Sequence, residues 1–117
     1  MKDEFIYLDL REKTLWGFEH EKSDLIIDAI IRGIEHSDDF EAVPVYRIND
    51  DNYTLVYEGH SRAVGHYIEG KPLKCILSEQ NPRELRKGAR PVKISNIKLI
   101  EDIGQYAVAK QLYPNYR

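Results

Sequence analysis

Cysteine is almost missing from this chain: Cys75 stands alone among 117 residues. One thiol rules out an internal disulfide and supplies no multi-cysteine metal site. Its setting, Leu73-Lys74-Cys75-Ile76-Leu77, reads as a strand in which the thiol is a small buried hydrophobe. No apolar run approaches the roughly 20 residues of a membrane span. The first residues, Met1-Lys2-Asp3-Glu4, lack the basic start and apolar stretch of a secretory signal, so a cytoplasmic location is the default expectation. Neither G-x-x-x-x-G-K-S/T nor G-x-G-x-x-G occurs, which removes the two common glycine-rich phosphate fingerprints. No Ser/His/Asp set for nucleophilic catalysis can be assembled from the residue order. Repeats, low-complexity tracts and domain linkers are also lacking.

What is present fits one domain over residues 1–117, long enough for a real core but not for two. The chain is 42% hydrophobic and 32% charged, the balance of a globular protein. Its net charge of −3 conceals an asymmetry. Residues 1–58 carry 15 acids and 6 bases, whereas residues 59–117 carry 5 acids and 11 bases. The bases are densest from Gln80 to Lys98, where Arg83, Arg86, Lys87, Arg90, Lys93 and Lys98 face Glu84 alone. A chain of pI near 5.8 is no bulk polyanion binder, but one basic face suits a phosphate backbone.

Taken in order, Phe5 to Leu10 alternates weakly and reads as a first strand. Leu15-Trp16-Gly17-Phe18 reads as a turn or loop with aromatic anchors. Ser23 is a good helix N-cap with Asp24 favourable in the first turn. From Asp24 to about His36, Ile26/Ile27, Ile30/Ile31 and Ile34 form a helical stripe that belongs in a core. Ser37-Asp38-Asp39 breaks it. Val43–Ile48 and Tyr53–Tyr57 flank Asn49-Asp50-Asp51-Asn52, the pattern of a hairpin with a four-residue loop. Pro72 to Ser78 is apolar enough for an interior strand. Asn81 to Gly88 has the cap, proline and glycine of a short helix. Short extended segments follow at Pro91–Ile94 and Ile97–Ile100, then a helix from about Asp102 to Leu112.

The chain is organised around Tyr53 to Gly70. A β-branched and aromatic run turns at Glu58-Gly59 and continues with helical spacing, Ala63/Tyr67 and Val64/Ile68 being i, i+4 pairs. Gly70, followed by Pro72, stops the helix. Gly65 inside it points to close backbone packing. A strand entering a helix through glycine leaves backbone N–H groups and a positive dipole end at the turn. That suits an anion, and Arg62 in the first turn adds a bidentate donor. The plainer reading makes Gly59 a tight turn and Arg62 a solvated side chain.

The order Val43-Pro44-Val45-Tyr46-Arg47-Ile48, a polar turn, Tyr53 to Tyr57, Gly59-His60-Ser61-Arg62 and Gly70-Lys71-Pro72 resembles the ParB-like nuclease domain and the wider ParB/sulfiredoxin fold. The resemblance runs from about Ile6 to Leu77, roughly two thirds of the chain. It implies an α+β fold, a small mixed sheet or partial barrel with flanking helices. It also implies phosphate binding at Gly59, His60, Ser61 and Arg62. His60 stands where sulfiredoxins carry their catalytic cysteine, which excludes sulfinic-acid reductase chemistry. Ser61 stands where many relatives have a second His or Arg, and brings a hydrogen bond without charge. Complete partition proteins continue into a helix-turn-helix; with 17 residues after Ile100, this chain reads as a stand-alone version of the N-terminal module.

Three function classes follow. The first is a nucleotide- or nucleic-acid-binding module, with Arg83, Arg86, Lys87, Arg90 and Lys93 on a backbone. The second is a small nucleotide-dependent phosphotransferase or nuclease, with a nucleoside triphosphate and magnesium as its cofactor and Glu19 or Glu21 as the catalytic carboxylate. The third is a protein-interaction domain that has lost the ligand. The four histidines make no metal site: His60 and His66 fall on different helix faces, and Glu19-His20-Glu21 lacks convergent ligands.

Overall fold

The structure, a computed structural model, describes residues 4–36, 40–82, 88 and 90–101. The expected helices over Asn81–Gly88 and Asp102–Leu112 lie largely or wholly outside these residues, as does the break at Ser37-Asp38-Asp39. What is described is a mixed α+β fold. Among the described residues there are eight strands: β1 (Phe5–Leu8), β2 (Thr14–Gly17), β3 (Glu21–Ser23), β4 (Val43–Arg47), β5 (Asn52–Leu55), β6 (Leu73–Leu77), β7 (Val92–Lys93) and β8 (Lys98–Ile100). The helices are α1 (Asp24–Glu35) and α2 (His60–Glu69), and a 3-10 turn covers Ile94–Asn96.

Six strands form one mixed sheet in the order β1-β6-β4-β5-β2-β7, and β3 pairs with β8 in a parallel two-stranded ribbon. The apolar runs dictate the interior position of β6, which is antiparallel to β1 and parallel to β4. The four-residue loop makes β4 and β5 an antiparallel hairpin, with Val45 opposite Leu55 and Tyr46 opposite Thr54. Leu15-Trp16-Gly17, expected as a loop, is instead strand: β2 lies parallel to β5 and antiparallel to β7. A four-residue strand ending in glycine has little propensity of its own, and its pairing with two neighbours determines it.

Alternation then sorts the sheet. Leu8, Cys75, Val43, Val45, Leu55 and Leu15 point inward and are buried, and both helices add Ile27, Ala63 and Val64 to the same core. Each leucine, isoleucine or valine among them, fully buried, stabilises the fold by about 1.5–3 kcal/mol. In α1, Ile27 and Ile30 are buried while Ile26, Ile31 and Ile34 are half-buried. Ser23 occupies the expected N-cap position but its hydroxyl makes no capping bond. Gly65 meets α1 closely, for a Cβ there would lie 2.6 Å from Ile30 Cγ2. Ile68 is 41% exposed although it stands one helical turn after the buried Val64, so the buried face of α2 ends before it. Gly70 closes α2 in the left-handed conformation, and Arg11 Nη2 donates to the carbonyls of Tyr67 and Ile68. Among the described residues no helix is long and apolar enough to cross a membrane.

Candidate functional site

The turn between β5 and α2 is built on Gly59. After Leu55 and the buried Val56 the chain surfaces at Tyr57 and Glu58, then reverses at Gly59 with φ 100° and enters α2 at His60. A Cβ at Gly59 would sit 2.4 Å from Val43 Cγ1, so the turn is pressed onto the first residue of β4. The start of α2 therefore has the expected form, a left-handed glycine followed by a helix whose first N–H groups have no partner within the helix.

His60 does not face that turn. Its imidazole is buried, and the ring meets Phe18 edge-on with centroids 4.3 Å apart. Phe18 N–H donates to His60 Nε2 at 3.1 Å. Nε2 must therefore be unprotonated, which places the ring hydrogen on Nδ1, 3.2 Å from Glu19 Oε2. The pair is a neutral imidazole donating to a carboxylate. It fastens the first residue of α2 to the connection between β2 and β3. Gly17 makes the space, since a Cβ there would lie 2.7 Å from His60 Cδ2. At the expected anion site His60 can therefore offer its backbone N–H and not its imidazole. Both ring nitrogens are engaged inside the protein.

Arg62, one turn into α2, donates from Nη1 to the carbonyl of Glu41 at 2.8 Å, and its Nη2 lies 3.9 Å from Glu58 Oε1. A guanidinium carries five N–H donors. Among the described residues these two partners leave part of the fork for an anion. Its side chain is 18% exposed, so a ligand would meet a partly sunk, fixed cation and not a solvated one. Ser61 beside it is half-buried.

The other expected site residues separate. Glu19 does come to the turn's underside, held between His60 and Lys22 Nζ at 3.3 Å. Glu21 is exposed on β3, opposite Lys98 of β8. Arg90 is exposed and its carbonyl accepts from His20 Nε2. Lys93 lies with Nζ 5.6 Å from the Trp16 ring centroid. Arg83, Arg86 and Lys87 lie outside the described residues. Among the described residues no group of three or more His, Cys, Asp and Glu gathers as a metal cage. Gly17 and Phe18 are the positions sequence reasoning missed, their partner being 42 residues away from Phe18.

Two further groups flank the site. Burial pushes the pKa of His66 below its usual 6.5, and its Nδ1–H donates to the Arg62 carbonyl at 2.7 Å. Burial pushes the Cys75 thiol up to about 12. A thiol so rarely ionised is inert. We expect Ellman's reagent at pH 8 to label Cys75 at the free-thiol rate only in denaturant, with native labelling slower by orders of magnitude. Equal rates in both states would contradict its burial.

No protein-family model matches the chain, and no curated protein or solved structure matches it significantly.

Proposed function

We propose that the chain is a phosphate-ligand-binding module of the ParB-like type, taking the phosphates of a nucleotide at the Gly59–Arg62 turn. The observation that carries this reading is the junction itself: a left-handed Gly59, the N–H groups opening a ten-residue helix, and in its first turn Arg62, whose guanidinium is fixed by the Glu41 carbonyl. Helix dipole, oriented N–H groups and a fixed guanidinium act on the same anion. Glu58, exposed at the same turn, offers one carboxylate. Magnesium is usually held by one or two carboxylates plus substrate phosphates, so these residues fit an ion arriving with a triphosphate.

The catalytic alternative has less support. Glu19 would have to leave Nδ1–H of His60 and the Lys22 ammonium to take a proton from a substrate.

The test is calorimetric titration with inorganic phosphate and with nucleoside mono-, di- and triphosphates, each with and without magnesium. Arg62→Ala is expected to weaken nucleotide binding by about 1.5–3 kcal/mol, roughly 10- to 150-fold, if the bond is charge-assisted. A melting scan of the variant separates lost affinity from the lost Glu41 bond. Equal affinity in variant and parent removes Arg62 from the site. Failure of every phosphate compound to bind the parent overturns the proposal.

A further inference from the structure

The six-stranded sheet has a second face, across from both helices, and register fixes which residues it presents. Phe5 pairs with Ile76 and Tyr7 with Lys74, Ile76 pairs onward with Pro44, and Tyr46, Thr54, Trp16 and Lys93 form one row across β4, β5, β2 and β7. Both helices contribute to the core on the other side. The outward face therefore carries four aromatic rings, those of Phe5, Tyr7, Tyr46 and Trp16, and the two lysines Lys74 and Lys93.

It carries no carboxylate at the paired outward positions, although Asp and Glu make up 20 of the 117 residues. Phe5 is 53% and Tyr7 67% exposed. Each lysine stands over a ring, Lys74 Nζ 5.4 Å from the Phe5 centroid and Lys93 Nζ 5.6 Å from that of Trp16. The indole is fixed, for its Nε1–H donates to Asn52 Oδ1 at 3.0 Å. The acids at the hairpin rim are already paired, Asp50 with Arg47 and Asp51 with Lys13.

A second feature adjoins this face. Lys93 and Thr14 also line a cavity of about 230 Å³ that includes Arg11 and Lys13, with Glu12 as its one carboxylate. Arg11 and Lys13 donate there to backbone carbonyls, of α2 and of Asp50 respectively, and Lys13 is shared with Asp51, so of the two Arg11 is the cation without a carboxylate partner among the described residues. The row of rings thus ends beside positive charge.

We propose that this sheet face binds single-stranded nucleic acid, its bases stacking on the exposed rings and its phosphates meeting Lys74, Lys93 and the cations of the cavity. Stacked bases need accessible aromatic faces held on a rigid support, and the strand's backbone needs cations between them without opposing carboxylates. The sheet supplies both, the open rings being those of Phe5 and Tyr7, with Tyr46 and Trp16 half-buried beside them. A duplex buries its base faces and gains only the charge term. The rings lie across the sheet from α2 and the cavity beside its C-terminal turn; neither includes Gly59 or Arg62, so the proposal is independent of the Gly59–Arg62 reading.

Trp16 is the only tryptophan, so binding reports itself. The intact chain is titrated at low salt with 12-nucleotide dT and U strands and with a 12-base-pair duplex, reading tryptophan emission and the anisotropy of a fluorescein end label. Single strands are expected to quench Trp16 and raise anisotropy, with the duplex binding more weakly. The Phe5→Ala/Tyr7→Ala variant changes exposed edge positions and is expected to melt near the parent while losing about five- to hundredfold in affinity. Lys74→Glu and Lys93→Glu should reduce the salt slope, by about 0.7 for each phosphate of the single strand that is no longer neutralised. Arg62→Ala is expected to leave this binding unchanged, which separates the surface from the turn. Absence of binding by single strands overturns the proposal, as does a duplex binding equally well and insensitive to Phe5 and Tyr7. Self-association in sedimentation that Tyr7→Ala abolishes would assign the face to a second copy, and also overturn it.

Discussion

Replacing Gly59 by alanine is expected to lower the unfolding free energy by about 3 kcal/mol, from two separable causes. An L-residue held near φ 100° is strained by about 1–2 kcal/mol. The added Cβ would also lie 2.4 Å from Val43 Cγ1, in a packed core where one extra carbon typically costs about 1–3 kcal/mol. Gly88 provides the control: its φ is 86°, and a Cβ there meets nothing within 4 Å. Gly88→Ala should therefore show the strain alone, about 1 kcal/mol. In the Gly59→Ala background, Val43→Ala should recover part of the overlap, a coupling that urea titrations of the double-mutant cycle measure directly. For a chain of this size about 4 °C of melting temperature corresponds to each kcal/mol, so the single variant should melt roughly 12 °C early. If Gly59→Ala and Gly88→Ala cost the same, Val43 does not press on the turn. The functional consequence is the larger one. A turn pushed away from Val43 moves the first N–H groups of α2, and phosphate binding should weaken even at temperatures where the variant stays folded.

The parts of this fold legible in the sequence were those whose signal is local. The isoleucines of α1 recur at helical spacing, and Val43-Pro44-Val45 and Tyr53-Thr54-Leu55 are β-rich runs around a polar loop. Gly59 and Gly70 bracket α2 as the turn and the stop that their spacing suggested, both in the left-handed conformation, and Gly65 marked a close backbone approach, which α1 makes. What stayed hidden depends on partners distant in the chain. β2 exists because Thr14, Leu15 and Trp16 pair with Asn52, Tyr53 and Thr54, and β3, of three polar residues, because it pairs with β8. Ser23 had the right chemistry for a cap, yet its buried hydroxyl finds no hydrogen-bond partner among the described residues. At the candidate site, Arg62 could be placed from spacing. The inward turn of His60 could not, because Gly17, Phe18 and Glu19 produce it. The charge asymmetry was likewise visible without its geometry. Lys93 belonged to the basic stretch in the sequence, but only the sheet register shows that it stands over Trp16.

His60 yields the sharpest separation between anchoring and ligand binding. Its ring occupies the core side of the turn, accepts the Phe18 N–H and donates to Glu19. His60→Ala removes a buried ring, leaves a cavity beside Gly17, and takes away the acceptor that Phe18 N–H uses. Cavity-forming truncations cost about 2–5 kcal/mol and a buried donor deprived of its acceptor about 1–3 kcal/mol, so a loss of about 4 kcal/mol is expected. His60→Gln distinguishes the polar part of this loss from the packing part. Its amide oxygen can accept from Phe18 and its NH2 can donate to Glu19, so about half the stability should return. Glu19→Gln should cost well under 1 kcal/mol, because an amide oxygen still accepts from Nδ1–H and the carboxylate is 45% exposed. Melting curves and phosphate titrations on all three variants decide between the two roles. An anchor loses stability first, and affinity returns together with stability in His60→Gln. A ligand would do the reverse, with His60→Ala melting like the parent and losing phosphate binding. That second outcome would overturn the assignment of the hydrogen to Nδ1 and return the imidazole to the anion site.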